Sequence, residues 1–573
     1  MRRLPAALLP TGIFLVTCAA FWPALQGEFS WDDDTNLVTN LRYRGFGGSQ
    51  IRWMFTNTLM GHYMPFTWLT FALDHVLGRM DPWGYHLVSL LLHAANAILV
   101  YLVARRLLAV ALQTAVDTRA GAAVAGLLFA LHPQRVESVA WISDRATILC
   151  GTFYLVAVLA YLRAVGAPHG RRRMWWGAAS LVAFAAALLS KGMAMSLPIT
   201  LLILDVYPLR RWRTGWPRVL VEKLPYCALA IAGAVVAAWA RGQGGEFTGY
   251  ADYGLAARLG MIAYSFCFYP LKLVWPADLS PLYEVPSRVS LLDPRFLTAI
   301  LVLLAVTSML LALRRRAPAA LAAWAHSSAV VAPVSGVVHS GLQMVADRYS
   351  YLAQLGFVVL AGYGIVRLLE LHRKGRVRRA AAIVAGSGIV LTIGALAVLT
   401  WNQSYVWRDP ETLWRWAVDL DPLCARCHNN LGVALLHRRR DPQGLSESEE
   451  HLRRAVALRP EDGLGHLNLG IALIEGGRPG DAIVELEHAL RVKPDSVPAL
   501  NSLGRALLAD GRVEPARAAF EQAIAINATD PVAHLGLARA HLARGDRAAA
   551  REQIPILDRL DPQRARMLEQ EIR

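Results

Sequence analysis

Long apolar runs dominate roughly the first 400 residues, and amphipathic runs of helical period dominate the rest. Stretches of about 20 apolar residues are long enough to cross a bilayer as helices. They predict spans near residues 6–25, 85–104, 120–133, 146–163, 174–190, 196–209, 219–240, 294–313, 317–335, 350–369 and 380–401. The runs at 120–133 and 196–209 are short for this role. Beyond residue 403 the apolar positions recur at helix-pair spacing between polar turns. The pattern predicts an all-α chain: a polytopic membrane domain over 1–403, then an α-solenoid over 404–573.

Basic clusters set the topology. Arg2-Arg3, Arg105-Arg106, Arg171 to Arg173, Arg210-Arg211 with Arg213, Arg314 to Arg316 and the stretch His372 to Arg379 fall between the apolar runs. With the N-terminus inside, about eleven spans place every cluster on the cytoplasmic side. Leu255 to Trp275 is apolar enough to be a twelfth. As a full crossing it would move Arg314 to Arg316 outside, so it reads as re-entrant or interfacial. The odd count then puts the C-terminal domain outside the cytoplasm. The first run reads as a retained anchor rather than a cleaved signal, since no convincing small-x-small site follows it.

The solenoid is legible as a repeat. His428-Asn-Asn-Leu-Gly432, His466-Leu-Asn-Leu-Gly470, Leu500-Asn-Ser-Leu-Gly504 and His534-Leu-Gly-Leu-Ala538 recur, the last three at about 34 residues, the tetratricopeptide period. Gly-bearing turns at Gly476-Gly477, Gly511 and Gly545 separate the two helices of each repeat. Such pairs bury their apolar faces only by stacking, and the product binds a polypeptide or another partner.

Composition adds two exclusions. The formal charge of +16 on 573 residues would suggest nucleic acid in a soluble chain. Here much of the excess lies between apolar runs, so nucleic acid is excluded in favour of membrane topology. Of the six cysteines, Cys18, Cys150, Cys227 and Cys267 lie in or near apolar runs and read as inert. Cys424-Ala-Arg-Cys427-His428 matches the haem-c attachment spacing, but His428 also opens the first clear repeat. The pair reads first as free or structural thiols, and as a local disulfide in an oxidising compartment.

Polar groups at the predicted outer face are costly there and therefore mark candidate chemistry. Asp32, Asp33 and Asp34 follow directly on the first span. His132, Arg135, Glu137, Asp144 and Arg145 interrupt two spans, and Ser190-Lys191-Gly192 joins two more. Asp347, Arg348 and Tyr349 precede another, while His62, Tyr63 and Trp68 occupy a first-loop stretch that reads as an amphipathic helix. Carboxylates mixed with Arg and Lys on one membrane face suit a phosphate-bearing lipid substrate: cations hold phosphate while a carboxylate takes a proton.

These residues resemble a family. Glu28-Phe-Ser-Trp-Asp-Asp-Asp34 is similar to the acidic first-loop motif of the transmembrane and TPR-repeat glycosyltransferases. Those are C-type (GT-C) membrane glycosyltransferases related to the protein O-mannosyltransferases. His132-Pro-Gln-Arg-Val-Glu-Ser-Val-Ala140 with Asp144-Arg-Ala146, and Ala346-Asp-Arg-Tyr-Ser-Tyr-Leu352, resemble two further motifs of that family. Ser190-Lys191 matches its Ser-Lys-Glu motif except that Gly192 replaces the Glu. The resemblance implies transfer of a monosaccharide, commonly mannose, from a polyprenyl-phosphate donor to a hydroxyl outside the cytoplasm. It implies catalysis by Asp32, Asp33 or Asp34, one of them as general base or as ligand of a possible divalent cation. It implies substrate binding by His132, Arg135, Glu137, Arg145, Lys191, Asp347, Arg348 and Tyr349. Polypeptide, lipid and glycan acceptors all remain open, and the repeats favour polypeptide by analogy. The Ala- and Arg-rich composition suits a high-GC bacterium and hence its inner membrane, with the repeats in the periplasm. A non-enzymatic membrane-anchored scaffold and a flippase are the rival classes. A flippase would need charges deep in the bundle, whereas those found lie near span ends.

Overall fold

The computed structural model describes residues 7–114, 116–244, 254–286, 289–336, 343–439 and 441–573. The Arg2-Arg3 cluster lies outside them. Two compact units divide the chain, Met1–Thr412 and Leu413–Arg573.

The first unit opens with α1 (Leu8–Ala20), α2 (Gly48–Thr56), α3 (Pro65–Gly78), α4 (Pro82–Leu112) and α5 (Arg119–Ala130). There follow α6 (Val136–Ala140), α7 (Arg145–Gly166), α8 (Arg171–Ser190), α9 (Leu197–Val206), α10 (Trp216–Val221) and α11 (Leu224–Gly244). It closes with α12 (Leu255–Val274), α13 (Pro294–Ala312), α14 (Pro318–Val331), α15 (Ser350–Ala353), α16 (Leu355–Arg373) and α17 (Arg379–Val406). Short strands β1 (Tyr283–Glu284) and β2 (Gln343–Val345) pair antiparallel, Tyr283 opposite Val345.

Among the described residues, seven helices are long and apolar enough to cross a membrane: Pro82–Leu112, Ile142–Gly166, Arg171–Ser190, Trp216–Gln243, Pro294–Ala312, Leu355–Arg373 and Arg379–Val406. The other four expected spans are shorter. Leu8–Ala20, Arg119–Ala130 and Pro318–Val331 have 13, 12 and 14 residues, and α9 has 10. At 1.5 Å per residue each covers only about half to two thirds of a hydrocarbon core. Small residues let these elements pack closely. A Cβ on Gly121 of α5 would strike the Gly362 carbonyl of α16, and one on Gly356 would come within 2.9 Å of Ala323 on α14.

α12 meets residues just past α14 and α5 and just before α16. Its Arg258 donates to the Gly336 carbonyl and its Ser265 to that of Ser335, both just past α14. Farther along, the Tyr269 and Leu273 carbonyls accept from Gln354 and His132.

The second unit is built of α18 (Pro410–Leu420) and ten further helices: α19 (Ala425–Arg438), α20 (Pro442–Leu458), α21 (Gly463–Glu475), α22 (Pro479–Val492), α23 (Val497–Ala509), α24 (Val513–Ile526), α25 (Pro531–Ala543), α26 (Arg547–Glu552), α27 (Ile554–Leu560) and α28 (Pro562–Ile572). Asp441, Asp462, Ser496 and Asp530 cap α20, α21, α23 and α25 by accepting from backbone N–H groups in the first turn. Gly477 and Gly511 take φ of 72° and 78° in the turns between paired helices, where a side chain would be strained. The repeat glycines let helix pairs touch: a Cβ on Gly470 would sit 2.6 Å from Leu486 Cγ. The recurrent histidines tie three of the repeats together. His428, His466 and His534 hydrogen-bond through Nε2 to the carbonyls of Pro422, Pro460 and Ala528. Through Nδ1 they meet His451, Glu485 and Gln553.

Cys424 and Cys427 form a disulfide. This corrects the first expectation of free thiols: Cys424 caps α19, which brings the two Cα atoms to 5.2 Å, within bridging range.

Candidate active site

The loop after α1 is held by its own carboxylate. Asp33 is fully buried; one oxygen accepts from the Ser143 N–H (2.8 Å) and hydroxyl (2.5 Å), the other from the Ser30 N–H (3.0 Å). Burial pushes this carboxyl up to about 7, against the pull of those three bonds. Asn36 adds a bond to the Ser143 hydroxyl (3.1 Å). Residues 30–36 are thereby fastened to the turn Ile142–Asp144 ahead of α7. Asp32 is half-exposed and Asp34 exposed, so the three adjacent carboxylates do not share a direction. Among the described residues no group of three or more His, Cys, Asp or Glu is placed to hold a metal ion.

Next to Asp32 an aromatic platform forms. Trp31, at φ 56°, stacks on Trp141 with ring centroids 4.6 Å apart, and Trp141 faces Trp407 at 6.2 Å. The Arg348 guanidinium lies over Trp141 (5.3 Å) and Tyr349 (5.1 Å). It pairs with Glu137, whose second oxygen accepts from the Arg348 N–H (2.7 Å). Burial works against the charge on Arg348, but Glu137 outweighs it and holds the guanidinium above its ordinary range. Burial likewise raises Glu137, countered by Arg348.

A second pair stands close by. Lys191 Nζ lies 2.6 Å from Asp144 and 2.6 Å from the Thr147 hydroxyl. Asp144 also accepts from Ser138 (2.8 Å) and Thr147 (2.7 Å). Lys191 keeps 22% of its side chain exposed, so one end of this pair is open. Asp347 instead faces inward, accepting from Gln134 (3.1 Å) and Tyr283 (3.1 Å), with burial raising it to about 7. The β1–β2 pairing places Tyr283 there, and the Tyr349 hydroxyl accepts from Gln343 (3.0 Å).

Three residues expected at the substrate serve the protein instead. Arg145 is fully buried, paired with Asp74, donating to Ser89 and the Tyr85 carbonyl, and lying over the Phe71 ring (4.7 Å). Arg135 is fully buried between Phe129 and Tyr351 and donates to Ser350 (2.5 Å) and Gln354 (2.6 Å). His132 caps its turn by accepting from the Gln134 N–H (3.3 Å) and donates to Leu273 O (3.1 Å). Their donors are spent on protein partners. The first-loop helix is also corrected: His62 lies in a turn bridged to Leu59, Tyr63 bonds the Phe55 carbonyl (3.0 Å), and only Trp68 is on α3, buried.

Sequence reading missed Ser143, Trp31, Trp141, Asp74 and Tyr283. Asp74 alone carried a signal, as a lone carboxylate in an apolar helix. The others are ordinary residues given meaning by long-range contact.

The site sits where α7 begins and α8 ends. At the opposite ends of these helices Lys223 meets Asp205 (2.6 Å), Arg211 meets Asp205 (3.1 Å) and Glu222 (2.6 Å), and Arg173 meets Glu222 (2.8 Å). The basic clusters at 171–173 and 210–213 therefore share the end remote from the site.

Comparison with known proteins agrees with the family resemblance. Tetratricopeptide repeat models match residues 443–490 and 507–572. The chain is 26% identical to protein O-mannosyl-transferase Tmtc1 of Drosophila melanogaster, covering 71% of this chain and 56% of that one. It is 25% identical to protein O-mannosyl-transferase TMTC1 of Homo sapiens, covering 82% and 58%. The chain thus spans little more than half the length of these curated relatives. A solved MamA protein is 19% identical over 27% of this chain and 83% of that one, with a TM-score of 0.24.

Proposed function

We propose that this protein is a multi-pass membrane glycosyltransferase that moves a monosaccharide, mannose by likeness to its relatives, from a polyprenyl-phosphate donor to a hydroxyl on a polypeptide. The observation that carries the reading is the acidic loop, latched by Asp33 onto Ser143 beside the Glu137–Arg348 and Asp144–Lys191 pairs. The positive-inside rule puts this end outside the cytoplasm, because the basic clusters lie at the other. The Cys424–Cys427 disulfide supports the same side for the repeats, which would present the acceptor. A bacterial inner membrane fits the composition.

Asp32 is the general base. It takes the acceptor hydroxyl proton as that oxygen attacks the anomeric carbon. One carbon–oxygen bond forms, the bond from that carbon to the phosphate oxygen breaks, and the polyprenyl phosphate leaves with the electron pair. Cations at Arg348 and Lys191 favour that charge. Asp33, Asp347, Arg135, Arg145 and His132 position this machinery. Tyr349 and the Trp31–Trp141 platform offer apolar faces against which a sugar ring can lie.

The test is transfer of labelled mannose from polyprenyl-phosphate mannose in membranes, wild type against Asp32→Asn. A fall of about 100-fold or more at unchanged protein level is expected for loss of a general base. Equal transfer by both proteins would remove Asp32 from the chemistry.

A further inference from the structure

Two cations at the site are already neutralised by carboxylates: Lys191 by Asp144 and Arg348 by Glu137. A third is not. Arg241, half-buried near the end of α11, makes no ion pair or hydrogen bond among the described residues. Two segments bring it to the site. The turn of Leu59 to His62 rests on α11: a Cβ on Gly61 would lie 3.6 Å from Arg241 Cα. The segment after Lys191 rests on the same helix: a Cβ on Gly192 would lie 3.4 Å from that of Ala237, one turn before Arg241. Thr67, near the start of α3, bonds the Ser190 carbonyl (3.2 Å) and ties both segments together.

His62 sits within the same field. It is exposed, and its imidazole makes no hydrogen bond among the described residues, while neighbouring protein partly dehydrates it. That partial dehydration, and then the charges of Lys191, Arg241 and Arg348, push it down to about 4, so it stands neutral with one N–H to donate. Among the described residues, the neighbouring carboxylates Asp144 and Glu137 are committed to Lys191 and Arg348. An excess of positive charge therefore surrounds the exposed His62.

We infer that Arg241 and His62 form an anion subsite that holds the phosphate of a lipid-linked phosphate ester, with Lys191 and Arg348 as its opposite wall. Arg241 supplies the unneutralised charge and the forked donors that match a phosphate. Gly192, having no side chain, supplies no carboxylate of its own to take that charge. Assigning the ester as the sugar donor rests on the glycosyltransferase reading; the subsite itself does not.

The test is binding, without turnover, to the full chain in phosphatidylcholine nanodiscs. The probes are a polyprenyl phosphate in the disc and inorganic phosphate in the buffer, read by tryptophan fluorescence. Arg241→Gln should weaken binding about tenfold or more and His62→Ala about threefold. Arg172→Gln, in an exposed basic cluster at the remote end, should change nothing. Gly192→Glu should weaken binding and Gly192→Gln should not. Arg241-dependent binding of the lipid probe supports a lipid phosphate, and of inorganic phosphate alone, a soluble source. Wild-type affinity in Arg241→Gln, equal loss in both Gly192 variants, or no binding of either probe by wild type overturns the subsite. The Asp32 transfer assay stands or falls separately.

Discussion

The carboxylate of Asp33 accepts both the N–H and the hydroxyl of Ser143, a residue 110 positions later in the chain. That contact fixes the acidic loop to the turn that also carries Asp144. The most conspicuous sequence feature is therefore divided: its middle member is buried and holds the loop, while Asp32 and Asp34 keep solvent exposure.

Asp33→Asn keeps the shape but replaces one accepting oxygen by a donor facing Ser30 or Ser143. Removing an accepted bond at a buried site costs about 1–3 kcal/mol. Thermal unfolding should drop accordingly, whereas Asp32→Asn should leave the midpoint unchanged and abolish transfer. The reverse pattern would exchange the two roles.

Asp33 also makes a signed contribution to stability against pH. Its folded pKa of about 7 lies above the ordinary 3.8, so the folded state binds more protons between those values. Stability from this group is fully present below about pH 4 and is lost as pH rises towards 7. The difference in unfolding free energy between wild type and Asp33→Asn, followed from pH 4 to 7, should shrink with rising pH. A flat difference would deny the raised pKa.

Glu137→Gln leaves the buried Arg348 charge uncompensated, a change that costs about 3–5 kcal/mol. Glu137→Leu combined with Arg348→Met removes both charges and should recover much of that stability without recovering transfer. Denaturation midpoints and transfer measured on the same preparations separate the two effects.

Arg145→Lys should fail as a conservative change. One ammonium cannot meet Asp74, Ser89 and the Tyr85 carbonyl while lying flat on Phe71. The expected outcome is a markedly lower unfolding midpoint, with an unchanged KM in whatever fraction folds. A raised KM at full stability would put Arg145 at the substrate.

The disulfide has a direct chemical readout. Alkylation of the denatured chain should label the four free cysteines before reduction and all six after it. Six labels without reduction would place the repeats in a reducing compartment and reverse the topology.

The sequence by itself determined the class of each half. Apolar run length and helical repeat period are local properties, so the spans and the solenoid were legible from composition alone, as was the order of basic clusters. It also marked the acidic triplet and the three polar stretches as the places where charge needs a reason. What it could not assign was which charge meets which. Arg135, Arg145 and Arg348 look alike as cations beside a membrane, yet one is spent on Gln354 and Ser350, one on Asp74, and one on Glu137. Those partners lie 50 or more residues apart in the chain, and burial decides whether a charge is structural or available. Only the tertiary structure brought Ser143 to Asp33, Gly61 to Arg241 and Trp31 to Trp141, because contact across the bundle follows from packing and not from neighbouring residues.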